Sequence, residues 1–372
     1  MGFAIKKRIK LLIIATTRFD LDGITNVILN YYRTMDKSNM KIDFVIPNKI
    51  RKDLEEELTI GGSNIYRIKE RNKNPIRYFK KLKNTIKKNR YDIVHAHGNS
   101  CTLALEMYAA KKGGAKVRIP HSHNTTTKHR ILNALLRNIF EANYTHAFSC
   151  GQLAGEWLYK DKSFKIMNNG IEVEKFKYNQ CTRRLYREKY NLKGKKVVGH
   201  IGHFSYQKNH EYLVKIFSEL YMLDDDYRLL LIGDGKLKTK IENMVNELEL
   251  NESVIFMGKT LEVPELLQVM DCLVMPSRFE GLPLTLVEAQ SASLPCFVSD
   301  VVSKEVGITE LVNFISLDKS PKEWAKIIHT ADNVIRSEIK EQKAKKIKEA
   351  GFSIIDNAKE MRTLYQRYVE QG

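Results

Sequence analysis

Two glutamates eight residues apart, Glu280 and Glu288, flank the turn Gly281-Leu282-Pro283-Leu284-Thr285. An apolar run ending at Met275 precedes this turn, and a helical pattern starts near Leu284. The amino terminus of a helix offers free N–H groups and a positive dipole to phosphate, and open α/β sheets bind ligands beyond the carboxyl ends of their strands. A carboxylate just before such a turn can face a ligand, and one inside the helix suits bidentate bonding to ribose hydroxyls. The plainer alternative is a capped surface helix with two solvated glutamates. A second cluster, Gly202-His203-Phe204-Ser205-Tyr206-Gln207-Lys208-Asn209-His210, follows another apolar run, and on the residues alone Lys208 reads as a loop lysine and His203 as a packing or loop histidine. Two H-x-H pairs, His95/His97 and His121/His123, close two further strand patterns. Such pairs suit a metal ion or simple packing. Asp22-Gly23 precedes the first helical pattern, where glycine permits close backbone approach to a ligand or just a plain turn.

The elements that must carry these residues are legible as a rhythm. Ile9–Ile14, Ile42–Ile46, Tyr91–His95, Lys116–Pro120, His146–Cys150 and Phe164–Met167 read as short buried strands, with a helix over Ile24–Tyr32. The pattern restarts with Lys196–Gly202, Tyr227–Ile232, Ser253–Met257, Asp271–Met275 and Leu294–Val298. Apolar strands separated by helices imply parallel sheets covered on both faces. The expected organisation is a doubly wound domain over 1–172, a polar linker over 173–194, a second doubly wound domain over 195–355, and a helix over 356–372 that can cross back to the first domain.

The chain has 372 residues, enough for two cores. No apolar run reaches the roughly 18–20 residues of a membrane span, and the basic start (Lys6, Lys7, Arg8, Lys10) precedes too short an apolar stretch for a secretion signal. Five cysteines with wide spacing and no CxxC fit reduced thiols, not a disulfide framework or zinc site. The net charge is +18, and all of it lies before residue 171, where 32 Lys and Arg face 14 Asp and Glu. The stretch Arg71–Arg90 holds nine of these cations and no acid, with an apolar stripe of Phe79, Leu82 and Ile86. An anionic partner of the first half follows: a membrane surface, a nucleic acid or a phosphorylated substrate. A solvated lysine-rich surface is the bland alternative. No helix-turn-helix, zinc-finger or RNP-like signature supports nucleic acid.

The stretch Ser277–Glu288, with Val254–Gly258, Val263–Leu267, Asp271 and Leu229–Gly235 in order before it, resembles the E-x7-E region of retaining, family-4-type glycosyltransferases of the GT-B fold. The likeness covers most of residues 196–305 and is weaker in the first half. It implies two Rossmann-like domains facing across a cleft, with nucleotide-sugar bound by the second and acceptor by the first. It places Glu280 on the donor sugar, Glu288 on the ribose, and the amides of Gly281, Leu282, Leu284 and Thr285 near the diphosphate, where Pro283 has no N–H to give. Lys208 matches a diphosphate-binding lysine, and His203 stands where the family has arginine. Gly23 keeps the second glycine of a loop that closes over phosphates, with Asp22 in place of the first. His121 or His123 falls where the family sets a histidine near the sugar.

The resemblance implies metal-independent hexosyl transfer from a UDP-sugar, or next a GDP-sugar, with no cofactor. The acceptor would be a glycan or lipid-diphosphate-linked intermediate of capsular or other polysaccharide assembly, at the cytoplasmic face of a membrane held through the first domain. A sugar-nucleotide epimerase or an inactive glycan- or membrane-binding relative on the same fold is the alternative, and a nucleic-acid-binding protein a remote one.

Overall fold

A computed structural model describes residues 8–20, 23–125, 127, 130–331 and 334–371. Lys6, Lys7 and Asp22 lie outside the described residues. The chain divides into two compact units: Met1–Gly170 with Ile354–Gly372, and Ile171–Ser353.

The first unit is built on a parallel sheet of seven strands: β1 (Ile9–Ala15), β2 (Met40–Val45), β3 (Ile65–Tyr66), β4 (Ile93–Gly98), β5 (Val117–Ser122), β6 (Phe148–Ser149) and β7 (Lys165–Ile166). Their order is β3-β2-β1-β4-β5-β6-β7. Strand β1 shows why continuous apolar runs form such strands: Leu11, Ile13 and Ala15 enter one core, while Leu12 and Ile14 enter the core on the other face. Helix Pro75–Asn89 begins on Asn74, whose side chain accepts from the Arg77 amide at 3.0 Å, and ends at Arg90 in the left-handed region. It buries Tyr78, Leu82 and Ile86 and leaves Lys80, Lys81, Lys87 and Lys88 exposed. Phe79, expected in the buried stripe, is only partly buried and stacks on Tyr108 with ring centroids 5.3 Å apart. The last helix, Ile354–Gln371, packs Ile354, Ala358, Met361, Leu364, Tyr365 and Tyr368 into the core of this same unit.

The second unit repeats the plan with six parallel strands: β8 (Lys196–Ile201), β9 (Tyr227–Ile232), β10 (Val254–Gly258), β11 (Cys272–Met275), β12 (Cys296–Ser299) and β13 (Val312–Ile315), in the order β10-β9-β8-β11-β12-β13. In both sheets the winding reverses beside the first strand, between β1 and β4 and between β8 and β11. At these switch points the loops leave the carboxyl ends in opposite directions and open a crevice.

The stretch 173–194, expected as a linker, is instead part of the second unit. It holds the helices Val173–Phe176 and Gln180–Lys189. Arg183 donates to the carbonyls of Gln268, Val269 and Met270 at 2.8–3.0 Å and to Asp271 at 2.5 Å. Those are the free carbonyls at the end of helix Val263–Val269, so the arginine caps a helix. Strands β3 and β13, of two and four residues, add to the strands expected from the sequence.

Among the described residues no helix is long and apolar enough to cross a membrane. None of the five cysteines forms a disulfide, and all but Cys181 are buried.

Candidate active site

The switch point of the second unit gathers the residues singled out by type. Strand β8 ends at Ile201 and the loop from Gly202 leads to helix His210–Leu223; β11 ends at Met275 and its loop leads to helix Leu284–Ser291. The two loops are tied together. Asn209, in the left-handed region, donates to the Pro276 carbonyl at 3.0 Å, and the Arg278 amide donates to the Gln207 carbonyl at 2.8 Å. Arg278 also lies over the Tyr206 ring, 4.2 Å from its centroid.

Within this frame Lys208 and Glu280 meet. The Lys208 ammonium is 2.8 Å from Glu280 Oε1, and Gln207 donates to Oε2 at 3.0 Å. Only 16% of the lysine side chain and 9% of the glutamate are exposed, so the charges attract in a medium less polar than water. The lysine stem lies against Gly202, where a Cβ would stand 3.0 Å from Cδ. Gly233 and Gly235 hold the neighbouring turn at φ of 140° and 159°. A Cβ at Gly233 would come within 2.0 Å of the Gly202 carbonyl oxygen, so only glycine fits. His203 is exposed beside Gly235. Beneath the loop, burial holds His200 down at about 4 and His210 at about 2, which leaves both rings neutral near pH 7.

Pro283 caps helix Leu284–Ser291, whose first turn exposes part of Leu284 and Thr285. Gly281 is exposed, with open space where a Cβ would stand, and Leu282 is partly exposed. Glu288 follows within the helix; burial pushes its carboxyl up to about 7, and Lys175 opposes the shift. Two grooves of this unit, about 740 and 430 Å³, share Tyr178, Gln180, Arg183 and Lys195 at the amino ends of the strands, and neither Lys208, Glu280 nor Glu288 lines them.

The first unit places its own cluster at its switch point. His95 and His97 lie on β4, and His121 and His123 lie on and just after β5. The rings of His95 and His121 are 3.1 Å apart between Nε2 and Nδ1, and those of His97 and His123 are 2.9 Å apart between Nδ1 and Nε2. Burial holds all four well below the usual histidine value, His95 and His123 at about 3. His121 is buried and His123 partly exposed. Gly23 opens helix Gly23–Thr34, and among the described residues nothing beyond its chain neighbours lies within 4 Å of where a Cβ would stand.

Ring nitrogens of His95, His97 and His121 lie within 4.8 Å of one another, a spacing compatible with a metal ion. Sequence reasoning passed over a second metal-like group, Asp224-Asp225-Asp226. It lies at the amino end of β9, where Asp224 pairs with Lys196 at 2.6 Å and Asp226 with Lys195 at 2.5 Å. It also missed Gln207 and Asn209, whose polar side chains inside a loop motif were the available signal.

Two winding units with the switch-point loops described define the GT-B architecture. Residues 182–352 match the family Glycosyl transferases group 1, and residues 21–173 match Glycosyltransferase Family 4. EpsF of Bacillus subtilis (strain 168), a protein designated a glycosyltransferase, is 33% identical over 83% of this chain and 84% of its own. The UDP-Gal:alpha-D-GlcNAc-diphosphoundecaprenol alpha-1,3-galactosyltransferase of Escherichia coli is 29% identical over 58% of this chain and 59% of its own. Among solved structures, Anabaena HepE in complex with UDP superposes with a TM-score of 0.75 at 15% identity, covering 96% of this chain and 100% of that one. The chain therefore belongs to the family-4-type glycosyltransferases of the GT-B fold, and it is a transferase of sugars.

Proposed function

We propose that this protein is a retaining glycosyltransferase that moves a hexose from a UDP-sugar to a lipid-diphosphate-linked glycan during polysaccharide assembly. The observation that carries the reading is the largely buried Lys208–Glu280 pair at the switch point of the second unit. When a donor binds there, its diphosphate offers Lys208 a second anion, which leaves Glu280 free to accept hydrogen bonds from the sugar hydroxyls. As the glycosidic bond breaks, charge builds on the leaving diphosphate, and the ammonium stabilises that charge more than it stabilises the ground state. The amides of Gly281, Leu282, Leu284 and Thr285 add donors at a helix amino terminus. Glu288 takes the ribose hydroxyls, and Gly23 lets the opening of its helix come close to phosphate. His203 replaces an arginine fork by a single donor, which puts more of the phosphate charge on Lys208. His121 or His123 faces the sugar. No metal or cofactor enters this scheme.

UDP is favoured because HepE, of the same fold, was solved with UDP, and the galactosyltransferase of Escherichia coli is named for UDP-Gal and a diphosphoundecaprenol acceptor. The excess charge of the first unit supports docking of that unit on an anionic membrane surface at the cytoplasmic face, where such an acceptor would sit.

Calorimetry with UDP, GDP and ADP, followed by transfer from the matching sugar conjugates to an undecaprenyl-diphosphate-linked acceptor, tests the reading. UDP should bind tightest, and NMR of the product should show the donor's anomeric configuration. Glu288→Gln should weaken nucleotide binding by about 1–3 kcal/mol, whereas Glu280→Gln should lower turnover and spare the nucleotide. If Glu280→Gln abolished nucleotide binding and Glu288→Gln did not, the two roles would be exchanged.

A further inference from the structure

The four imidazoles of the first unit are arranged as two hydrogen-bonded rows. His97 and His121 are register partners on adjacent strands, so alternation puts His95, His97, His121 and His123 on one face of the sheet. His95 and His121 lie side by side, their planes 6° apart, and His97 and His123 likewise, 22° apart. One row lies over the other: the centroids of His95 and His97 are 4.3 Å apart, as are those of His121 and His123. The row of His95 and His121 begins on the last helix, where Tyr365 Oη is 2.6 Å from His95 Nδ1. Each row ends on a buried ring nitrogen with no partner among the described residues, His121 Nε2 in one and His123 Nδ1 in the other.

Three of the ring nitrogens are close enough for a metal, but the ring planes argue against one. A metal binds in the plane of each imidazole, and the stacked rings of His95 and His97, 27° apart, do not aim at a common point.

A neutral imidazole has one N–H and one lone pair. Proton positions along a row are therefore linked. If the Tyr365 hydroxyl donates to His95 Nδ1, His95 carries its proton on Nε2 and donates to His121 Nδ1, so the His121 proton sits on Nε2. If His95 Nδ1 donates to the tyrosine, every proton moves to the other nitrogen and His121 Nε2 is a bare acceptor. His97 sets His123 Nδ1 in the same way.

We propose that Tyr365 and His97 are positioning residues: through the two rows they fix which nitrogen of His121 and of His123 is protonated, and so whether each terminal nitrogen donates to or accepts from a sugar hydroxyl. The sugar half of this inference rests on the function proposed above; the linkage of protons does not. Neutral rings suit an uncharged hydroxyl-bearing ligand and offer little to a phosphate.

The test is long-range ¹H–¹⁵N NMR of the full chain labelled with ¹⁵N-histidine at pH 7. Each of the four rings should show a single neutral tautomer. Tyr365→Phe should convert His95 and His121 to averaged tautomers and leave His97 and His123 unchanged, and His97→Gln should do the converse to His123 alone. Tautomers already averaged in the parent protein, or a His121 spectrum untouched by Tyr365→Phe, would overturn the linkage. Titration with UDP, then with UDP-glucose, UDP-galactose and UDP-N-acetylglucosamine, tests the sugar half separately. The terminal ring nitrogens should shift with one of the sugar conjugates and not with UDP; an equal shift with UDP, or none with any conjugate, would remove the sugar from the proposal while leaving the linkage intact.

Discussion

The two units share a scaffold and invert its electrostatics. The first, counting its returning helix, carries 35 Lys and Arg against 17 Asp and Glu; the second carries 27 against 27. Yet at the switch points the order is reversed. The strongly basic unit keeps four uncharged imidazoles there, and the balanced unit keeps a nearly buried ion pair. The difference teaches that a doubly wound sheet supplies the place for chemistry and leaves its electrical character to local choice. A surface field acts over a Debye length of about 8–10 Å and draws whole surfaces together, whereas a buried pair acts on one ligand group at contact.

The largest expected effect breaks the outer contrast. Reversing Lys80, Lys83, Lys87 and Lys88 to Glu removes four cations that each contribute about 1 kcal/mol near an anionic bilayer, so binding to phosphatidylserine vesicles should weaken by about 4 kcal/mol or more, with nucleotide affinity unchanged. Sedimentation with vesicles at low salt reads this; a parent protein that ignores the vesicles leaves the first unit without its proposed surface. Next, Lys208→Ala should cut transfer by about 10²-fold, equivalent to about 2.7 kcal/mol, with a smaller effect on donor binding. Equal losses in both would make the lysine a plain binding group.

A third test sharpens the contrast at the switch points. Burial keeps His95 near 3, whereas an unfolded histidine takes its proton near 6.5. Between those values the unfolded chain holds more protons, so stability is fully present above pH 6.5 and is lost as pH falls towards 3. His95 alone accounts for about 2 kcal/mol at pH 5. Hydrogen exchange at pH 5 should therefore show the first unit opening more readily than the second, which has two such buried histidines, His200 and His210, against four. The smallest effect runs the opposite way. With Glu288 raised from 4.5 to about 7, the folded state holds the extra proton, and stability falls as pH rises through that window. The melting temperature of Glu288→Gln, relative to the parent, should climb by a few degrees between pH 5 and pH 8.

Much of this was legible in the sequence because parallel strands buried on both faces are written as apolar runs, as in β1 and β9. The two-residue β3 and the four-residue edge strand β13, interrupted by the exposed Asn313, carry too little of that signal. The misreading of 173–194 has a related cause. Helix Gln180–Lys189 has no buried residue and docks through Arg183 on carbonyl groups, so no apolar stripe announces it. For the site, the turn between two glutamates named Glu280, the family resemblance named Lys208, and the H-x-H alternation named the histidines. Their partners were out of reach of any spacing argument: Gln207 meets Glu280 across 73 residues, and Tyr365 meets His95 across 270.

The discontinuity of the first unit governs the order in which the protein can be made. Gly170 and Ile354 lie so close that a Cβ on the glycine would stand 2.7 Å from the Ile354 backbone. Yet the whole of Ile171–Ser353 must leave the ribosome between them. At about 5–20 residues per second that interval lasts roughly 10–40 s. For its duration the nascent first sheet lacks one of the helices that cover one face, and His95 lacks its tyrosine. Synthesis therefore completes the second unit before the first. Any premature stop within helix Ile354–Gln371 yields a chain whose second unit is finished and whose basic first unit lacks part of its cover.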